Sequence, residues 1–339
     1  MNPKRISFFR FAICFFLLLP SFLCVKSYAF ERHLWDEGWR FALHNDDNPH
    51  EIAFDDHAWR VLDLPHDWAI EGDFYALNPS GANGGALPGG IGWYRKHLNL
   101  NDNDASSRYV LHFDGAYMNT SVYVNGQLVG MRPYGFISFS YDITPYLKKQ
   151  GDNVVAVKVD NSKQPNSRWY TGCGIYRHVY LMKSSDIRIE EWGVQALTEV
   201  KKGKGKVSLN TKIENPSGRS RRVIVHQTLW NKAHQMVSKA SKACQVEAKG
   251  ATISQLLNVN KPQLWSLESP NLYTVTTEIE ENGRILDYDT ISIGLRNVAF
   301  DVKKGFFLNG KNIKINGVCL HCDLGCLGTA INEDALYRQ

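Results

Sequence analysis

Cysteine is sparse in this 339-residue chain, and helical periodicity is sparser still. Of seven cysteines, Cys14 and Cys24 fall within the first 29 residues, which leaves Cys173, Cys244, Cys319, Cys322 and Cys326. An odd, scattered set of five is not a disulfide framework. Core packing must therefore hold the fold, and nine tryptophans in a 12% aromatic composition supply the material. No amphipathic helix of useful length occurs before residue 330, which excludes a dinucleotide-binding α/β fold or an α/β-hydrolase for most of the chain. Charge runs are short as well. KKGKGK from Lys201 and SGRSRR from Ser217 lack interleaved aromatics and read as solvated turns, so no nucleic-acid partner is expected.

Long apolar runs are also missing, with one exception near the start. MNPKRISFFR is a basic leader, FAICFFLLLPSFLCV is an apolar stretch broken by Pro20, and Ser27-Tyr28-Ala29 is a small-x-small cleavage site. The apolar run is shorter than the roughly 20 residues a spanning helix needs. Residues 1–29 are therefore expected to be a secretory signal peptide, with the mature protein periplasmic or extracellular and without a membrane partner. Lipid attachment at Cys24 is disfavoured by bulky Leu23. Loss of Lys4, Arg5, Arg10 and Lys26, with no acid, lowers the formal charge from +5 to +1.

What is present is β texture. RYVLHF, TSVYVNG, NVVAVKVDN and YRHVYLMK alternate or run apolar between Gly, Asn, Asp and Pro. Asn125-Gly126 predicts a two-residue hairpin turn of type I′. The texture changes near Ser184-Ser185, and IRIEEWGVQAL to YDTISIGLR holds about seven strand candidates at the spacing of an immunoglobulin-like sandwich. A hairpin turning at Asn309-Gly310 follows. Asn332 then caps a short helix, with Glu333 and Asp334 in its first turn.

Six motifs stand in order: LPHDW from Leu64, GGIGWYRK from Gly89, WYTGCGIYRHVYL from Trp169, PQLWSLESPNLY from Pro262, GLRNVAFD, and GFFLNGKNIKINGVCLH. Together they resemble the N-terminal half of glycoside hydrolase family 2, and within it the β-galactosidase branch. The resemblance implies a mainly β protein: a jelly-roll sugar-binding domain over 30–184, an immunoglobulin-like sandwich over 185–296, and over 297–339 an incomplete first β/α unit of a (β/α)8 barrel. A barrel of that kind takes roughly 250 residues.

Retaining glycosidases use two carboxyl groups roughly 5–5.5 Å apart. In the family both are glutamates on later barrel strands, so no catalytic residue is assigned, and Asn332-Glu333 is read as a helix cap. Sugars present C–H faces that stack on aromatic rings and hydroxyls that need fixed polar partners. On this basis Arg168, Trp169 and Tyr170 are candidate substrate-binding residues in a loop that the resemblance directs toward the barrel mouth. His321 and Asp323 join them at the predicted C-terminal end of the first barrel strand. A seal between domains is the competing reading for the two aromatics, and His66 and Asp67 are expected to be structural.

Some relatives carry a sodium-contacting Asp where this chain has Arg168, and a guanidinium repels a cation. No magnesium or sodium site is therefore supported. Relatives also place an Asn upstream of Gly92-Trp93-Tyr94, where this chain has Pro88 to Ile91, and a second His at Cys322. A zinc site at Cys319, His321, Cys322 and Cys326 is the third reading of that segment. Strand alternation splits those side chains between two faces, which disfavours it and makes the cysteines small buried fillers. The expected partner is a β-galactoside or related oligosaccharide, with a homo-oligomer possible. β-Glucuronidase or β-mannosidase specificity and a non-catalytic carbohydrate-binding protein remain open. The 339 residues alone are expected to be inactive.

Overall fold

The computed structural model describes residues 30–43, 48–102, 107–321 and 323–339. The expected signal segment lies outside them, as does Cys322. Among the described residues, no helix is long and apolar enough to cross a membrane.

Two antiparallel sheets form the first sandwich. One contains β1 (Glu31–Leu34), β5 (Arg108–Phe113), β8 (Phe139–Asp142) and β10 (Val179–Ser184), ordered β1-β10-β5-β8. The other contains β2 (Trp39–Leu43), β3 (Arg60–Leu62), β4 (Gly90–Asn101), β6 (Thr120–Val124), β7 (Gln127–Arg132) and β9 (Gln150–Asn161), ordered β3-β2-β4-β9-β6-β7. Alternation decides the faces: in β6, Thr120, Val122 and Val124 are buried while Ser121 and Tyr123 are not. Asn125 (φ 50°) and Gly126 (φ 81°) turn β6 into β7 with Val124 opposite Gln127, the type I′ geometry the dipeptide predicts. The core combines aliphatic residues with several large aromatics. Trp39, Tyr94 and Phe113 are fully buried, and Phe113 lies parallel to Phe139 with ring centres 4.9 Å apart.

The second sandwich comprises β11 (Arg188–Lys201), β12 (Lys204–Glu214), β13 (Arg221–Trp230), β14 (Met236–Val246), β15 (Ala251–Asn260), β16 (Tyr273–Glu281) and β17 (Arg284–Ile293). Its sheets are ordered β11-β12-β15 and β14-β13-β16-β17. Its core runs from Ile187 to Leu295 in sequence, is aliphatic apart from Tyr273, and shares no residue with the first core.

A three-stranded sheet of β18 (Val298–Asp301), β19 (Gly305–Leu308) and β20 (Lys311–Asn312) follows, with the predicted turn at Asn309-Gly310. Beyond it the expectation needs correction. The first barrel strand is not formed: residues 313–321 carry no strand, and Ile315, Val318 and Leu320 are exposed. A parallel barrel strand is buried on both faces and bonded along both edges, and no described strand flanks this one. Cys319 and Cys326 are exposed rather than buried fillers. Of the expected β/α unit only the helix α1 (Glu333–Arg338) is present, capped by Asn332 Oδ1, which accepts from the Ala335 amide at 2.9 Å.

Candidate functional site

The site grows from the LPHDW turn. Its backbone runs beside the 173–175 segment, with the His66 amide donating to Ile175 O (2.8 Å) and the Trp68 amide to Cys173 O (3.0 Å). These bonds bury Asp67 to 2% exposure. A buried carboxylate must be met by donors, and here both oxygens are. Oδ1 accepts the amides of Cys173 (2.8 Å) and Ala69 (3.1 Å). Oδ2 accepts the Tyr170 hydroxyl (2.5 Å), the Thr329 amide (2.8 Å) and the Thr329 hydroxyl (3.1 Å).

Two glycines make room for this convergence. A Cβ on Gly172 (φ 69°) would stand 2.0 Å from Thr329 Oγ1 and 2.6 Å from Asp67 Oδ2, and one on Gly328 (φ 59°) would stand 2.3 Å from the same oxygen. The C-terminal segment gains a further tie where the Ile331 amide donates to Tyr176 O at 3.0 Å. Burial, the Asp67 charge and its hydrogen bond push the Tyr170 phenol upward, so Tyr170 acts as a fixed neutral donor. Burial also pushes the Cys173 thiol up to about 12, which leaves it an inert filler.

Beside the carboxylate the structure brings two of the predicted sugar-binding residues together. The Trp169 and His321 rings lie 5.5 Å apart, tilted by 33°, and both are exposed. Tyr170 turns inward to Asp67 instead of outward, while Arg168 and Asp323 are exposed on the flanks. Phe136, which the motifs did not single out, stands 6.5 Å from Trp169 and continues the aromatic surface toward Tyr134. Thr329 was missed too. Its only advance signal was Gly328, a glycine positioned for close approach.

His66 is structural. Its Nδ1 pairs with the Tyr94 hydroxyl at 2.8 Å, and burial lowers its pKa despite Glu71 at 3.2 Å. Among the described residues, no group of three or more His, Cys, Asp or Glu is placed to hold a metal ion. No step here is assigned to an ion.

Known proteins give this geometry its class. The sugar binding domain model of glycosyl hydrolases family 2 matches residues 34–185, and the Glycosyl hydrolases family 2 model matches residues 187–296. The chain belongs to glycosyl hydrolases family 2. It is 47% identical over 311 residues to the beta-galactosidase BoGH2A of Bacteroides ovatus, an alignment covering 91% of this chain and 36% of that protein. A family 2 member from Bacteroides cellulosilyticus superposes with a TM-score of 0.86 at 34% identity, covering 91% of this chain and 40% of that one. A beta-glucuronidase of Bacteroides uniformis gives 0.82 at 28% identity, covering 91% and 38%. The chain thus spans well under half the length of these relatives.

Proposed function

We propose that these residues are the sugar-positioning front of an exported, retaining β-galactosidase. The 47% identity to a beta-galactosidase carries the reading, and the Trp169–His321 pair beside a buried loop anchor supports it. In this reading the rings stack on the apolar face of the terminal sugar, and the exposed Asp323 and Arg168 meet its hydroxyls. The acid/base and nucleophile belong to later strands of a barrel, outside these 339 residues. A β-glucuronide is the second reading, favoured by one feature. Arg168 offers a planar fork of donors that matches a uronate carboxylate better than a hydroxyl.

The test has two arms. The 339-residue chain should release no nitrophenol from nitrophenyl-β-galactoside above a blank. The protein translated from the reading frame extended past residue 339 should hydrolyse the galactoside faster than the glucuronide or mannoside, with the β-anomer as first product by NMR. Faster hydrolysis of the glucuronide would replace the galactosidase reading, and turnover by the 339 residues would overturn the division of labour.

A further inference from the structure

The Asp67 carboxylate divides its labour between its two oxygens. Oδ1 is committed to the first sandwich's own backbone, at Ala69 and Cys173, and would be satisfied with or without the C-terminal segment. Oδ2 makes no contact of that kind. It joins Tyr170, next to Trp169 in the chain, to the amide and hydroxyl of Thr329, on the segment that carries His321 and Asp323. The two segments that carry the Trp169 and His321 rings, more than 150 residues apart in sequence, are thus joined through one atom.

We propose that Asp67 is a positioning residue of the glycosidase site: its Oδ2 couples the Trp169 loop to the C-terminal segment and sets the relative placement of the two rings on which the sugar stacks. This rests on the sugar-binding reading above. All five partners of the carboxylate are donors, so the role needs two acceptor oxygens, which an amide cannot supply. Three donors on one oxygen also explain the two close glycines, because any side chain at Gly172 or Gly328 would displace the carboxylate or Thr329. Asp67 touches no reacting atom. It acts through the ring geometry, which should appear in KM before kcat.

Asp67→Asn separates the two oxygens. With its carbonyl at the Oδ1 position the variant keeps the Ala69 and Cys173 bonds, while its NH2 group faces the Thr329 amide donor to donor. Hydrogen exchange on the 339-residue chain should show the Cys173 amide still protected and the Thr329 amide exchanging at least tenfold faster. A merely structural loss would release both amides together. Tyr170→Phe removes one donor, leaves the carboxylate in place, and should speed Thr329 exchange by less.

In the extended enzyme, Asp67→Asn should raise KM for nitrophenyl-β-galactoside about tenfold or more with a smaller change in kcat. Unchanged Thr329 exchange, or unchanged KM in an active enzyme, would overturn the proposal. An extended enzyme inactive on every β-glycoside, with the exchange result intact, would instead overturn the functional reading and leave the coupling standing.

Discussion

Arg95 is buried to 1% exposure in the first sandwich, on β4. A guanidinium survives there because its donors are met: Nε donates to Asp56 Oδ2 at 2.8 Å, and the terminal nitrogens reach the carbonyls of Pro49, Glu51 (3.0 Å) and Phe54 (3.4 Å). This arrangement pins residues 49–56 onto the sheet, against β9 and the Arg40 side chain of β2. Removing Arg95 leaves the buried Asp56 carboxylate to the longer contacts of Arg40 Nε (3.5 Å) and His97 Nε2 (3.7 Å), a loss of roughly 3 kcal/mol. Arg95→Met should therefore lower the urea midpoint severely, and adding Asp56→Asn should recover part of the loss. A double variant as unstable as the sum of the singles would show that the pair is not coupled. Asp67 belongs to the same class of buried, fully satisfied charge, and because its partners join the Trp169 loop to the C-terminal segment, its loss is expected to show in the geometry of the site as well as in stability.

At the scale of elements, the junction of the sandwiches is built on β5 and β11. His112 of β5 is nearly buried, with Nε2 2.8 Å from Asp114 and Nδ1 against Glu191, a residue of β11 in the second sandwich. The register of β11 shifts between Ile189 and Val194, and Trp192 within that irregular stretch has a φ of 53° and faces the imidazole at 6.1 Å. Burial alone would lower the His112 pKa, but the hydrogen bonds to Asp114 and Glu191 outweigh it and raise the value to about 9. A folded-state pKa above the ordinary 6.5 adds stability that is complete below about pH 6.5 and fades as pH rises through 9. His112→Gln should therefore cost about 2–3 kcal/mol more at pH 6 than at pH 10. Equal costs at both pH values in urea melts would show that the imidazole is not charged at the junction. None of this was legible in the sequence, because RYVLHF marks a strand without naming what its polar residue will face. The strands themselves were legible, since period-two burial and Asn-Gly turns are local properties. The first barrel strand was misread for the converse reason. NIKINGVCLH has the composition of a buried strand, but a strand exists only through its neighbours, and none of the described strands pairs with it.

For the whole molecule, the two cores divide the described residues unequally with respect to the site. Every residue of both clusters precedes Thr329, and the described part of the C-terminal segment docks on the first sandwich, through polar contacts at Asp67 and Tyr176 O and the Trp169–His321 ring contact. The preceding hairpin sheet is fastened to the second sandwich, where Asn297 exchanges hydrogen bonds with Val200 (2.8 and 3.1 Å) and Asn309 Nδ2 donates to Trp265 O at 3.0 Å. The candidate residues from the sequence all fell on the first sandwich's side of this division. Arg168, Trp169 and Tyr170 could be named as candidates from their residue types in a loop that the family resemblance marks, whereas Thr329 could be recognised only once the chain had folded back 262 positions onto Asp67. A chain ending at residue 312 removes the docked segment and keeps the hairpin sheet. Its second sandwich should be unchanged, because none of the hydrogen bonds just named is lost there. Its first sandwich should lose about 1–3 kcal/mol, since Asp67 Oδ2 gives up two charge-assisted bonds that water replaces only in part. Hydrogen exchange reads the two sandwiches separately: the slowest amides of β10 should exchange faster in the shortened chain while those of β13 keep their rates. Acceleration in both sandwiches would mean that the junction at His112 and Glu191 makes them one cooperative unit. Acceleration in neither would mean that the docked segment contributes geometry to the site without contributing stability.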